Sequence, residues 1–362
     1  MKKALAALLA LMLTAGCFSS ALADRTITIT FTGDVTLGSE EIKKNQPDSF
    51  VKTAEREGYE YFFRNVKDLF AGDDLTVVNL EGVLSDSANM ENTSKAYRFR
   101  GPKDYARILT MASIEACGIS NNHTKDFGSQ GYKNTVAALE ENGLGYFGNN
   151  DYYYVFEKDG IKIAFFALVS TIVWNSRKWG RETVDRLKAE EGINAVVVCI
   201  HAGTEYDPHR HPKQVEYAQL AFKHFDADLV IMHHPHVLQG IDVMNDRYVC
   251  YSLGNFCFGG NAQVRALETM AVQADLVFGD DGTYKGQRLR LYPAHISSSA
   301  SAAGEANNFQ PCFVTGDEAL AVLQLVQNDT AFDLGLYDEE AGYLALPYLA
   351  AGQPEDGNQS EE

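Results

Sequence analysis

The sequence predicts an α/β fold with a mixed sheet, or two sheets, in one domain. Three observations carry this. Short apolar runs alternate with helical spacings along most of the chain, the alternation that builds α/β layers. Lys158-Asp159-Gly160 lies between two strand-like runs, and a turn bearing Asp-Gly in that setting is a hairpin signal, which a purely parallel sheet lacks. Residues 268 to 278 and 284 to 292 then add two strand candidates with no helix between them. At 362 residues and 45% hydrophobic content the chain can bury a large core. No internal repeat or Pro-rich linker divides it, so one domain is read over residues 24 to 350.

The elements follow in order. Residues 1 to 23 carry two lysines, an apolar stretch from Ala4 to Ala15 and an Ala21-Leu22-Ala23 site, the pattern of a cleaved secretory signal peptide. That stretch is too short for a membrane span. The alternative is lipidation of Cys17 in LTAGC, the one route by which this reading attaches the chain to a membrane. Either way the mature protein is expected outside the cytoplasmic membrane, extracellular or at the cell surface. RTITITFTGD reads as a first strand ending at Gly33-Asp34, EYFFRNVKDLF as a helix, and LTVVNLEG as a buried strand ending in Asn79, Leu80 and Glu81. Residues 85 to 96 are a polar loop. DYARILTMASI reads as a helix, ACGISNNH as a strand ending at Asn121, Asn122 and His123, and GYKNTVAALEENG as a helix that Gly143 stops. After the hairpin, RETVDRLKAEE is a surface helix and NAVVVCIH a buried strand ending at His201. Pro212 can start the helix HPKQVEYAQLAFKHF. ADLVIMHHPH and RYVCYSLGNFCFGG are further strands, and GQPEDGNQSEE is a solvated acidic tail from about residue 351.

The formal net charge of −18 repels nucleic acid and anionic lipid, so neither is expected as a partner. Five cysteines follow the signal segment: Cys117, Cys199, Cys250, Cys257 and Cys312. The odd, scattered count argues against a disulfide framework, and most are expected as buried thiols filling strands.

Polar residues with ligand chemistry recur at the carboxyl ends of these strands: Asp34, Glu81, Asn122 with His123, His201, and His234 with His236. Ligands of open α/β sheets bind at those ends. Singly, each has a plain structural reading as a cap, a polar turn or a satisfied core histidine; Asp126 in HTKDFGSQG can simply cap the next helix. Jointly they point to one shared polar site. In VIMHHPHVLQG, Pro235 disfavours helix at the preceding residue, so an extended backbone is expected. His234 and His236 would then share a face and His233 would point away. Oxygen and imidazole donors without thiolate suit a divalent ion of the Mn, Zn or Fe class, and Glu81 could bridge two. Two ions about 3.5 to 4 Å apart would form the clamp used on phosphate esters.

The stretches FTGDVTLG, VVNLEGVLSD, SNNHTKDFGSQG, HAGTEY, ADLVIMHHPHVLQ and YSLGNFCF resemble, in order, the CapA family of bacterial poly-γ-glutamate capsule biosynthesis proteins, over roughly residues 27 to 260. The resemblance implies a two-sheet β-sandwich flanked by helices, similar to the calcineurin-like metallophosphoesterases. It implies Asp34 on a first metal, Glu81 as bridging carboxylate, Asn122 and His201 on a second, and His234 and His236 completing one shell each. His123 would protonate a leaving oxygen, with Asp126 and Glu205 (in HAGTEY) in support. One departure is Thr36, where the phosphoesterase pattern has His; Thr36 is no imidazole, so one ion or a weakly held first ion is expected. Another is Met232, where the CapA pattern commonly has Gly.

Three functions agree with this pattern. The first is a surface protein that makes, exports or anchors an anionic capsule polymer such as poly-γ-glutamate, in a catalytic role or as accessory to a membrane synthase complex. The second is a secreted metal-dependent hydrolase of phosphate esters or amides, with Lys125, Arg98 and Arg100 either as anion contacts or as parts of a solvated loop. The third is a binding module on the same scaffold without the chemistry.

Overall fold

The structure is a computed structural model that describes residues 24 to 352. The signal-peptide and Cys17 readings, and the tail beyond residue 352, lie outside the described residues. Two large sheets face each other. The first is centred on the strand Arg25–Thr36, which pairs parallel with Leu75–Leu80 and antiparallel with Glu268–Phe278. Its Thr/Ile alternation suits a pleated surface. Leu75–Leu80 continues in parallel to Ala116–Gly118 and Gly145–Phe147. The second sheet is centred on Ala195–His201, between Ile161–Val169 and Leu229–His233, both parallel to it.

Alternation decides what each face meets. Ile27, Ile29, Phe31 and Val77 of the first sheet pack against Phe165, Val197, Cys199 and Ile231 of the second. The intervening residues Val196, Val198, Ile200 and Met232 point outward, onto Val184, Ala218 and Phe225 of the helices Arg177–Arg186 and Pro212–Phe225. On the far face of the first sheet, Val78, Leu80 and Cys117 meet Ala54, Leu109 and Leu139 of Phe50–Glu57, Ala106–Met111 and Gly128–Glu141. This is the expected sandwich of two sheets with helices on both sides. Each fully buried Phe or Ile contributes about 1.5–3 kcal/mol. Met232 is one of these outward core residues, so its side chain serves packing.

The hairpin is as read: Tyr154–Lys158 pairs antiparallel with Ile161–Val169, and Asp159 and Gly160 turn with φ of 51° and 75°, the left-handed pair a tight hairpin needs. Pro212 opens its helix and the His211 ring caps it. Other segments differ. EYFFRNVKDLF is not one helix: a 3-10 turn, Tyr59–Tyr61, precedes a short helix, Lys67–Ala71. Between them Phe62 stacks on Phe50 with centroids 4.1 Å apart. The helix Phe50–Glu57, capped by the Ser49 hydroxyl, and the helix Gly316–Asn328, whose Val322 and Val326 join the inter-sheet core, are not among the elements read from the sequence. The five described cysteines are unpaired thiols; all but Cys312 are buried.

Candidate metal centre

The parallel strands of both sheets end on the same side. Asp34 lies in register with Asn79, and His201 with His233. Where the first strand ends, Gly33 runs against Leu253 and Gly254, and a Cβ on it would meet the Gly254 carbonyl oxygen at 2.4 Å. That close approach lets the Asp34 N–H donate to Gly254 O at 2.8 Å and brings Asn255 alongside.

Asp34, Glu81, Asn122, His201, His234 and His236 converge. Glu81 is fully buried, and neither of its carboxylate oxygens has a hydrogen-bond partner. Around Glu81 Oε1 stand His201 Nε2 at 3.5 Å, His123 Nε2 at 3.8 Å and His236 Nε2 at 3.9 Å. Two ligand-capable groups share it: Asp34, Glu81 and His236 on one side, Glu81, His201 and His234 on the other, with donor atoms in each within 4.8 Å of one another. Asn122 Oδ1 lies 2.8 Å from His201 Nε2, on the second side. An unpartnered buried carboxylate is costly unless a cation offsets it. The residues present fit one or two divalent ions.

Thr36 takes no part. Its hydroxyl donates to the Glu81 carbonyl at 2.7 Å. His233 lies on the inter-sheet face, and its Nε2 meets Thr32 O at 3.0 Å. The histidine pair does converge, with ring centroids 6.0 Å apart, but not on an extended backbone. His234 and His236 have φ of 104° and 59°, so turns on either side of Pro235 aim the two rings, one toward His201 and one toward Asp34. The extended reading is therefore corrected: proline at 235 excludes helix at 234 but leaves positive φ open.

Asparagines hold these side chains in place. Asn79 Nδ2 donates to Asp34 Oδ1 at 2.7 Å and lies 3.2 Å from His201 Nδ1. Asn121 Nδ2 donates to Asn79 Oδ1 at 3.3 Å and Leu80 O at 2.9 Å. Asn255 Oδ1 accepts from His236 Nδ1 at 2.9 Å. Asn79 and Asn255 were missed as site residues, although Asn79 stands two residues before Glu81 in a strand-like run and Asn255 lies in YSLGNF.

His123 is set by a carboxylate. Its Nδ1 lies 2.6 Å from Asp126 Oδ2, which also accepts from the Phe99 N–H at 2.8 Å, while the Lys95 ammonium pairs with Asp126 Oδ1. Lys95 also donates to Asn122 O at 2.6 Å. A carboxylate only accepts, so the His123 proton sits on Nδ1 and Nε2 faces Glu81. Asp126 does not cap the helix Gly128–Glu141, whose N-cap position is Phe127 with no side-chain cap bond; the Asp126 carboxylate is taken up by His123, Phe99 and Lys95. Arg98 and Arg100 are engaged by Glu91 and Glu41, which takes them out of the anion-contact reading. Lys125 instead lines a cleft of about 430 Å³ together with Asn122, Thr171, His201 and His234. Glu205 is exposed and comes near His234 and His236.

The electrostatics follow from burial and crowding. Burial alone would raise Asp34, but its hydrogen bond to His236 and the imidazoles of His233, His236 and His201 hold it well below the usual carboxylate range. Glu81 is lowered too: burial and Asp34 raise it, and His236 and His201 outweigh them. His234 falls to about 4 through burial and the neighbouring His201. His236 rises to about 9, because Glu81 and Asp34 overcome its burial.

The profile of the bacterial capsule synthesis protein PGA_cap family matches residues 28–260. The capsule biosynthesis protein CapA of Bacillus anthracis is 28% identical over 280 residues, 71% of this chain and 65% of that protein. The PGA biosynthesis protein CapA of Bacillus subtilis (strain 168) is 26% identical over 292 residues, 75% of this chain and 73% of that protein. The chain thus spans 65% of the length of the Bacillus anthracis relative. Among solved structures, a calcineurin-like phosphoesterase from Bacillus subtilis aligns over 85% of this chain and 98% of its own at 14% identity, with a TM-score of 0.46. With well over half of its residues matched by the family profile, this chain belongs to the bacterial capsule synthesis protein PGA_cap family.

Proposed function

We propose that the protein acts outside the cytoplasmic membrane in making or exporting an anionic capsule polymer of the poly-γ-glutamate kind, through a divalent-metal site at the joined strand ends. The N-terminal sequence and the family support the setting. Among the described residues, no helix is long and apolar enough to cross a membrane. The observation that carries the metal is Glu81, buried with both oxygens unpartnered between two sets of ligands.

Asp34, Glu81 and His236 would hold one ion, and Glu81, Asn122, His201 and His234 the other. Bound there, a divalent ion would polarise the scissile group and lower the pKa of water. The chain's own groups do the rest. Asn79 and Asn255 fix Asp34 and His236. Lys125 offers a positive charge to an anionic group in the cleft. Asp126 keeps a proton on His123 Nδ1 and leaves Nε2 to carry a proton to a leaving oxygen. The aligned His123–Asp126 pair favours a second reading, a secreted hydrolase of phosphate esters or amide bonds on the same site. The polymer, with or without a membrane synthase complex, is the partner proposed.

Elemental analysis of the purified protein tests the metal. Stoichiometric Mn, Zn or Fe, lost in His234→Ala/His236→Ala, is expected; no metal leaves a binding module. Hydrolysis of an aryl phosphate, lost in Asn122→Ala, would favour the hydrolase. Deleting the gene in a polymer-making host should reduce extracellular polymer, and unchanged polymer would end the capsule reading.

A further inference from the structure

We propose that Glu205 is a metal-ligating carboxylate, a loop donor that adds to the ligands beside His234 and His236. The proposal rests on the metal reading above. Glu205 follows the strand Ala195–His201 in the segment HAGTEY. The chain could leave the site there, and instead it turns back. Gly203, at φ 130°, lies so close to the Pro235 turn that a Cβ on it would come within 2.9 Å of Pro235 Cγ. Tyr206 has φ 61°, a conformation that costs a non-glycine residue of order 1–3 kcal/mol. Its N–H donates to Pro235 O at 2.7 Å, and the Arg265 guanidinium sits over its ring at 4.0 Å.

Two loops in left-handed backbone are thus clamped to each other through Pro235. The clamp places the carboxylate of Glu205 and ring nitrogens of His234 and His236 within 4.8 Å of one another. Among the described residues no lysine, arginine or hydrogen-bond donor pairs with Glu205, so its carboxylate is free to share a cation with the two histidines. Charge points the same way. Two divalent ions bring four positive charges against the two negative charges of Asp34 and Glu81, and Glu205 adds a third. Hard oxygen donors of this kind suit Mn²⁺.

The test uses the purified protein and Mn²⁺ alone. Binding is followed by calorimetry, with bound metal counted after dialysis. Glu205→Gln should weaken Mn²⁺ binding at one site at least tenfold and leave the melting temperature of the metal-free protein unchanged, since the side chain is exposed. Glu205→Asp should recover part of the loss. Wild-type affinity and stoichiometry in Glu205→Gln would overturn the proposal while the metal reading stands. If His234→Ala/His236→Ala also leaves bound Mn²⁺ unchanged, or the wild type binds none, the metal reading falls and this proposal with it.

Discussion

Glu81 shows how much one residue's surroundings can say. A buried carboxylate in an ordinary protein finds donors, and this one stands 3.5 to 3.9 Å from three imidazole nitrogens with no hydrogen-bond partner on either oxygen. Its neighbour Asn79 has the opposite role: every amide atom is used, and it ties Asp34 to His201 and Asn121. Residues that orient metal ligands tune the affinity of the site through the ligands they hold. Asn79→Ala is expected to lower metal affinity about 10–100-fold, measured by competition with a chelator, while the protein stays folded. His123→Ala should leave the metal content unchanged and, if the site hydrolyses an aryl phosphate, lower turnover about 10²–10⁴-fold. Asp126→Asn should lower turnover similarly and also lower the melting temperature, because His123 and Lys95 lose a buried carboxylate.

At the scale of elements, the two ends of the parallel strands behave differently. The carboxyl ends gather the site. At the amino end of Leu75–Leu80, Glu115 accepts from the Thr76 N–H at 2.8 Å, beside Asp73. Burial raises Glu115 from 4.5 to about 7, with Asp73 adding to it, and burial raises Asp73 from 3.8 to about 6. A raised acid holds its proton longer in the folded state than in the unfolded chain. Stability from Glu115 is therefore full below about pH 4.5 and is lost as pH rises through about 7. Glu115→Gln keeps an acceptor for Thr76. Melting temperatures taken across that window should fall less steeply with pH in the variant than in the wild type.

For the whole molecule, the two sheets enclose a core in which Cys199 and Cys250 take part, with Cys117 and Cys257 under the helices of the first sheet. Burial pushes all four thiols up, Cys199 and Cys250 to about 12, so none is a thiolate near neutral pH. Among the described cysteines, a thiol reagent should label Cys312 at most under native conditions, and all five only after unfolding. Rapid native labelling of Cys117, Cys199, Cys250 or Cys257 would contradict the burial seen here.

The sequence by itself determined the α/β character, the hairpin, the buried strands and the six residues that meet at the strand ends. Each of these is written locally, in apolar runs, in the Asp159-Gly160 turn and in polar residues placed where such runs stop. The helices Phe50–Glu57 and Gly316–Asn328 are not read from the sequence, although Ser49 before the first and Asp317 and Glu318 at the start of the second are helix-start signals. Only the tertiary structure decided which ligand stands beside which. Asp34 and His236 are separated by 202 positions in the chain and by 3.2 Å in space, and no local pattern encodes such a contact. The same holds for His233, removed from the site by its place on the inter-sheet face, and for Asn79 and Asn255, whose roles exist only once Asp34, His201 and His236 are gathered around them.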